Sequence, residues 1–411
     1  MAEQIRLGLE RITELMGLLG NPQKSLKYVH VAGSNGKGST CAMIESVLRC
    51  AGLKTGMFTS PCLESLSEQI QVNRQNISAQ DYETAENIVK NAAVRMSDYP
   101  SPFELLTAVA IVHFTRMNCD IVIMEVGMGG ATDSTNVIPA PEVAVITNIG
   151  LEHTEYLGDT LEKIAGVKAG IIKEGCAAVC YDGSKVVTDV VENVCLNRNV
   201  RLIRPDFDDV AIVQSDMNGQ HFIYHKAEYM IPLVGRYQVN NALLVLSCIE
   251  ALNNRGYRIS DKAVKEGLAN VSWPARFEVL CSKPLFILDG GHNLQCAEAI
   301  RDNIEQFLKG KKITFIMGVL RDKDYEDEVR LLMPYAREFI CVTPESDRAL
   351  PAEELSRLIN SYGGCSRAMQ SISEGVMIAL SEKKEPVLAF GSLYMAGEIR
   401  RLVCHFVTDN N

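Results

Sequence analysis

Thirteen cysteines occur in this 411-residue chain without a single Cys-x-x-Cys pair. The nearest two, Cys176 and Cys180, are spaced too loosely for a zinc knuckle. An odd, scattered set reads as small core residues in a reducing cytoplasm, so a disulfide framework is not expected. No apolar run approaches the ~20 residues of a membrane span. The amino terminus also lacks the basic-then-apolar layout of a signal peptide. Basic residues are outnumbered, 41 Lys and Arg against 51 Asp and Glu, for a net charge of −10. That excludes the dense positive face needed by non-specific nucleic-acid binders and anionic-membrane binders. A local positive site for a small anion remains open.

What is present is the composition of a globular protein, 47% hydrophobic and 22% charged. Its length is too great for one ordinary core, so two domains are expected. Ile5, Leu9, Ile12, Leu15, Met16 and Leu19 recur at helical spacing until Gly20-Asn21-Pro22 stops them. Tyr28 to Ala32 then reads as a strand, followed by a glycine run and a helix over Ser39 to Cys50. Further strands are expected at Ile121–Met124, ending in Glu125, and at Val143–Thr147, leading to Asn148 through His153. Alternating strands and helices imply a parallel sheet, whose ligands bind beyond the carboxyl ends of the strands. Lys37, Glu125 and His153 thereby fall on one sheet edge.

Val200 to Ile231 reads as β-rich and Asn240 to Asn253 as a helix, before Ser272-Trp273-Pro274-Ala275-Arg276 interrupts the pattern. Strands then resume at Leu285–Leu288, Ile313–Met317, Phe339–Thr343 and Val387–Phe390. The expected division is therefore 1–276 and 277–411. There is no low-complexity tract and no short repeat.

The glycine run, Gly33-Ser34-Asn35-Gly36-Lys37-Gly38-Ser39, has the makings of a phosphate cradle: backbone amides at a helix start, a lysine and hydroxyls. It departs from the strict P-loop spacing, with Val31 at the first glycine position and Gly38 after the lysine. The alternative is a strand-to-helix turn with an exposed lysine. Glu125 can hold a divalent cation beside phosphates, or be a solvated loop acid. His153 can be a ligand or a hydrogen-bonded structural residue. Lys168, in "EKIAGVKAGIIK", reads at first as a helix-surface lysine. Asp289-Gly290-Gly291-His292-Asn293 places a second strand-tip loop in the second domain. Asp289 could accept from a ribose and His292 could meet phosphate or a reacting carboxyl, unless this is only a polar turn.

Taken together, "LGLERITELMGLLGNPQ", "VHVAGSNGKGST", "FTSPCL", "EVGMGGATDSTNV", "TNIGLEHTEYLGDTLEKIAGVKAGIIK", "GRYQVNNALLVL", "WPARFEV", "LDGGHN", "MGVLRDKDY" and "GSLYMAGEIR" resemble the folylpolyglutamate synthase/dihydrofolate synthase family, relatives of the Mur ligases. The resemblance implies an α/β fold, with a P-loop parallel-sheet ATPase domain like the Mur central domain and a smaller Rossmann-like domain after it. It also implies a shorter P-loop spelling, G-x-x-G-K-x-S/T, which this run satisfies. By the same resemblance Gly33 through Ser39 would wrap the ATP phosphates, with Asn241, Arg276 and Asp289 as further nucleotide contacts. Ser60, Glu125 and His153 would hold Mg²⁺. Lys168, as a carbamate, would help hold a second ion. Lys37, Lys168 and His292 would be catalytic, and Phe103, Glu104, Thr132, Asp133 and Ser134 would line the pterin or folate site.

The implied reaction joins L-glutamate to a folate in a cytoplasmic monomer, without nucleic acid or membrane. Ser34 stands for the family's Thr, Ala275 for its Gly and Gly291 for its Ala, all changes expected to be tolerated. Ala131 stands where members that also use dihydropteroate carry Arg, which counts against that second activity. The rivals are a Mur-type ligase acting on a nucleotide-linked peptide and a non-catalytic ATP-binding module. The first needs an amino-terminal domain for which 32 residues before Gly33 leave no room. The second has no use for Glu125, His153, Lys168 and His292 together.

Overall fold

A computed structural model describes residues 6–181, 183–382 and 386–409. The larger sheet contains β1 (Tyr28–Ala32), β2 (Thr55–Phe58), β3 (Ile70–Val72), β4 (Gln75–Asn76), β5 (Ile121–Glu125), β6 (Val143–Ile146), β7 (Ala177–Cys180) and β8 (Arg201–Ile203). Their spatial order is β4-β3-β2-β5-β1-β6-β7-β8, parallel except where β3 turns back on β2 and β4 on β3. β1 is central and buried along its whole length, which is why it reads as an unbroken apolar run around one histidine. It pairs with β5 on one side and β6 on the other. The loops leaving all three therefore emerge side by side.

Helix Lys37–Cys50 starts directly after Gly36 and buries most of its length under helices Arg236–Asn254 and Asp261–Ala269. The helix expected from Ile5 onward spans Glu10–Leu18; Ile5 lies outside the described residues. The β-rich stretch is an antiparallel meander of β9 (Val210–Asp216), β10 (Gly219–Tyr224) and β11 (Ala227–Ile231). Its Phe222 and Ile231 join the core beneath the larger sheet, so it is an appendage to that layer.

The second sheet consists of β12 (Glu278–Ser282), β13 (Leu285–Leu288), β14 (Ile313–Met317), β15 (Ala336–Cys341), β16 (Ser366–Ala368) and β17 (Val387–Phe390). Its order is β12-β13-β17-β14-β15-β16, parallel except for β12 against β13. The sequence reading missed β12 and β16, a half-exposed edge strand and a three-residue edge strand that lack the continuous apolar run of a central one. The expected Phe339–Thr343 strand lies a few residues earlier. Among the described residues no helix is long and apolar enough to cross a membrane.

The core of the second sheet centres on Phe315, stacked 5.1 Å from Phe339 and edge-on 5.5 Å from Phe390. Truncating a fully buried ring leaves a cavity as well as lost transfer energy. Phe315→Ala is expected to destabilise the protein by ~3–5 kcal/mol in a urea titration; a loss under ~1 kcal/mol would mean that this ring stack is not what holds the second sheet together.

Candidate active site

Gly36 adopts φ +85°, and a Cβ there would come within 2.6 Å of Asn241 Oδ1. Both backbone conformation and space thus require glycine at the turn that starts helix Lys37–Cys50. The turn is gripped from β6. Ser34 N donates to Asn148 O at 2.7 Å, and Thr147 Oγ1 donates to Asn35 O at 2.8 Å. The Ser34 hydroxyl donates to Gly150 O and accepts from Gly150 N, both at 3.0 Å. A hydroxyl is what this position requires, so Ser in place of Thr keeps the function of the side chain. Lys37 Nζ curls over the loop onto Gly33 O (2.9 Å) and Ser34 O (3.1 Å).

Lys168 is no surface residue, contrary to its first reading. It is 1% exposed, and its Nζ donates to Gly33 O at 2.9 Å and to Glu152 Oε1 at 2.7 Å. Burial pushes the Lys168 amine down to about 8 despite its carboxylate partner. Glu152 went unnoticed in the sequence although it neighbours His153. Burial alone would raise its carboxyl, but Lys37 and Lys168 together pull it down to about 2. His153 sits at φ +47° as the residue before helix Thr154–Leu157. Burial holds its imidazole near 4, so it is neutral at pH 7.

Glu125, at the tip of β5, is also buried, and its Oε2 accepts from Ser60 N at 3.2 Å. Burial raises its carboxyl to about 7 even with Lys37 opposing. Ser60 and Glu125 are thus brought together. Among the described residues, no three His, Cys, Asp or Glu side chains converge as a ready-made metal nest. Ser60 and Glu125 nevertheless supply oxygen, the donor type that Mg²⁺ prefers.

The second lobe meets this loop directly. Asn293 accepts from Cys296 N through Oδ1, capping helix Leu294–Phe307, while its Nδ2 donates to Asn35 Oδ1 at 3.0 Å. Asn35 Nδ2 in turn donates to Gln295 Oε1 at 2.8 Å. The amino ends of helices Lys37–Cys50 and Leu294–Phe307 therefore converge on one point, and each carries partial positive charge. Asp289 is buried and accepts from Phe277 N (2.8 Å) and Gly291 N (2.7 Å); burial raises its carboxyl against the field of Arg276. His292 Nδ1 lies 3.1 Å from Gly290 O. A carbonyl only accepts, so the proton is on Nδ1 and Nε2 is left as an acceptor. Burial and the Lys323 charge hold this imidazole near 4.

Two substitutions expected to be tolerated have visible consequences. Ala275 is held at φ +55°, where a non-glycine residue costs roughly 1 kcal/mol. At Gly291 a Cβ would fall 2.6 Å from Cys296 Cβ and 2.8 Å from Asp289 Oδ1, so both neighbours would have to shift to admit an alanine. The expected substrate group divides. Phe103 packs against Gly127 beside Asp133. Asp133 spends Oδ1 on Thr135 N and Oγ1 and Oδ2 on Met128 N. Glu104 turns inward, its Oε2 taking Arg11 Nε and Ser101 N. Thr132 and Ser134 flank Asp133, and Ser134 is buried. A cavity of about 170 Å³ opens beside the phosphate loop, bounded by Gly38, Ser60, Glu68, Trp273, Arg276 and Leu393.

Converging helix starts, a lysine-bearing loop after β1 and an acid at the tip of β5, closed by a second α/β lobe, define an ATP-utilising ligase of the Mur type. The Mur ligase middle-domain model matches residues 31–249, and the Mur ligase glutamate ligase domain model matches 275–393. Within that superfamily the chain belongs to the folylpolyglutamate synthase/dihydrofolate synthase family. It is 34% identical to the dihydrofolate synthase/folylpolyglutamate synthase of Bacillus subtilis (strain 168), over 97% of this chain and 95% of that one. Identity to the folylpolyglutamate synthase of Lacticaseibacillus casei is 32%, over 95% and 93%. Among solved structures, Mycobacterium tuberculosis folylpolyglutamate synthase complexed with ADP and AMPPCP superposes with a TM-score of 0.89, at 31% identity over 97% and 96% of the chains. E. coli FolC in complex with DHPP and ADP gives 0.88, at 28% identity over 99% and 95%.

The raised Glu125 carboxyl makes a signed prediction. Its ionised form is disfavoured in the fold, so stability is fully present below the unfolded value of 4.5 and is lost as pH rises through about 7. With chelator present, urea titrations should show Glu125→Gln gaining up to ~3 kcal/mol on the wild type between pH 4 and pH 8. A constant difference across that range would remove the burial cost assigned to Glu125.

Proposed function

We propose that the chain joins the amino group of L-glutamate to the γ-carboxyl of a reduced folate, driven by ATP. The observation that carries this reading is the Asn35–Asn293 contact, which sets the phosphate loop of one lobe against the strand-tip loop of the other. A carboxylate is a poor electrophile, and its charge resists approach to a triphosphate. Phosphorylation by ATP makes an acyl phosphate with a good leaving group; the glutamate amine then attacks and inorganic phosphate departs.

In this reading the amides of Gly33 through Ser39 and the Lys37 ammonium, swung off its own carbonyls, neutralise the phosphates as charge moves between them. Asn241 and Arg276 flank the nucleotide, and Asp289 orders the Phe277 and Gly291 amides around it. Ser60, Glu125 and His153 would hold Mg²⁺, which when bound neutralises phosphate charge. Lys168 is suited to carbamylation because only a neutral amine attacks CO₂, and a carbamate there would add an oxygen donor for a second ion. With Glu152 at 2.7 Å, two anions would then face each other, so that modification requires a cation between them. Nε2 of His292, unprotonated at neutral pH, can orient the incoming amine. Closure of the two lobes, divided near Arg276, keeps water from the acyl phosphate. Phe103 and the 132–134 turn form a wall for the pterin, with Glu104 and Asp133 shaping that wall from behind. The chain acts as a monomer in the cytoplasm.

Dihydropteroate is the second acceptor to test, since the Bacillus relative carries both activities in its name. Phosphate release with ATP, Mg²⁺ and glutamate should depend on tetrahydrofolate and be weak with dihydropteroate; release that ignores both acceptors would contradict the reading. Lys37→Ala should lower kcat roughly 10²–10³-fold, and near-normal turnover would remove Lys37 from the phosphates. Glu125→Gln should raise the Mg²⁺ concentration required for half-maximal rate, and an unchanged titration would take Glu125 out of the metal site.

A further inference from the structure

β1 buries a histidine on the strand that leads to the phosphate loop, and nothing in the proposed chemistry uses it. His30 is fully buried and pairs in register with Met124 of β5 and Ala144 of β6. Val29 and Val31 point into the core beneath helix Lys37–Cys50, so by alternation His30 faces the other side of the sheet. There its Nε2 lies 2.9 Å from Thr135 Oγ1. Thr135 is fully buried in the turn Ser134–Val137, and its Oγ1 lies 2.5 Å from Asp133 Oδ1. Asp133 also accepts from Thr135 N (3.0 Å) and, through Oδ2, from Met128 N (2.8 Å).

The direction of each hydrogen bond follows. A carboxylate holding amides on both oxygens is an acceptor toward the hydroxyl as well, so Thr135 donates to Asp133. Thr135 Oγ1 then accepts from His30, which puts the imidazole proton on Nε2. Burial and the Lys173 charge hold that ring near 3, so it carries this one proton at neutral pH. Its Nδ1 is left buried without a hydrogen-bond partner among the described residues. Stranding a buried acceptor costs free energy that an apolar side chain of similar size would avoid. What histidine supplies, and leucine cannot, is the Nε2–H aimed at Thr135. At the far end of this series of bonds is the Gly127–Met128 turn. A Cβ at Gly127 would stand 2.4 Å from the Phe103 ring and 3.2 Å from Asp133 Oδ2. Asp133 thus clamps that turn against Phe103.

We propose that His30 and Thr135 are positioning residues for the acceptor substrate, a relay that sets Asp133 and through it the wall that Phe103 and the 132–134 turn present to the pterin. The relay rests on the ligase reading for the identity of that substrate. β1 ends at Ala32 and the phosphate loop begins at Gly33, so one central strand anchors both the nucleotide loop and the pterin wall. The relay acts on folate affinity and leaves the nucleotide contacts alone.

The full chain is tested as Thr135→Val, which keeps the shape and removes the hydroxyl, as Thr135→Ser, which keeps the hydroxyl, and as Thr135→Val combined with His30→Leu. Calorimetric titration with tetrahydrofolate and with ATP, glutamate-dependent phosphate release and hydrogen–deuterium exchange are measured on each. Thr135→Val is expected to weaken tetrahydrofolate binding and raise its KM about tenfold, with ATP affinity and kcat within about twofold of wild type. Exchange should quicken at the Met128 and Thr135 amides, which Asp133 holds. Thr135→Ser should keep wild-type values; were packing the whole role, valine would be harmless and serine the damaging change. The double variant buries no stranded donor, so it should fold even where Thr135→Val does not, and it should show the same loss and no more. Wild-type affinity for tetrahydrofolate in Thr135→Val or in the double variant would overturn the proposal, as would equal losses for ATP and tetrahydrofolate. A wild-type protein that binds ATP but no tetrahydrofolate sinks the ligase reading instead, and exchange at Met128 and Thr135 still judges the relay.

Discussion

One side-chain amide holds the two lobes in register. Asn35 accepts from Asn293 and donates to Gln295, so both ends of its polar group are spent on the other lobe. An amide can satisfy two partners at once only when their positions are fixed, and here they are fixed by a helix cap. Asn293 is that cap, and moving it would free the first amides of helix Leu294–Phe307. The contact therefore ties the phosphate loop to the start of the second lobe's first helix. It also aims two helix dipoles at one place. The Lys37 charge, the Glu125 carboxylate and the Arg276 side chain surround that place because β1, β5 and the linker end there.

Burial around this point gives the charges their character. Lys168, Glu152, Glu125, His153 and His292 are removed from water to different degrees, and each is shifted by burial and by the same few neighbours. Glu152 stays ionised because two lysines face it, whereas Glu125 sits near the edge of ionisation because burial outweighs Lys37, the Ser60 amide and Arg276 together. The two histidines are neutral, so they offer lone pairs instead of charge. Such a site is costly to hold empty of counter-charge and gains when a polyanion and its cation arrive together. Structure and reaction class meet in that electrostatic imbalance.

Much of this was legible in the sequence where local pattern carries the physics. β1, β5 and β6 are buried on both faces, so they read as unbroken apolar runs whose ends could be counted, and Lys37, Glu125 and His153 followed from those ends. The 289–293 loop was legible for the same reason, through β13. Lys168 was opaque to spacing alone: its helix is short, and its partners Gly33 and Glu152 come from other loops. Resemblance singled it out where periodicity could not. Gln295 and Cys296 reach Asn35 across some 260 residues of chain, so no local signal marks them. Thr135 reads as any turn hydroxyl until His30 is seen against it. Glu104 and Asp133 show another limit: Glu104 Oε2 and both Asp133 oxygens serve capping and turn geometry, a role the sequence could not separate from ligand contact.

The claim on which the account rests is that the loops of both lobes act on one triphosphate as a unit. A double-mutant cycle on Asn35→Ala and Asn293→Ala, read in kcat/KM for glutamate-dependent phosphate release, measures this most directly. Residues that act through one shared contact lose less together than the sum of their separate losses. The account predicts that the double variant is scarcely slower than the worse single variant. Losses that add in full, or single variants that turn over like the wild type, would show that the lobes work independently and would contradict it.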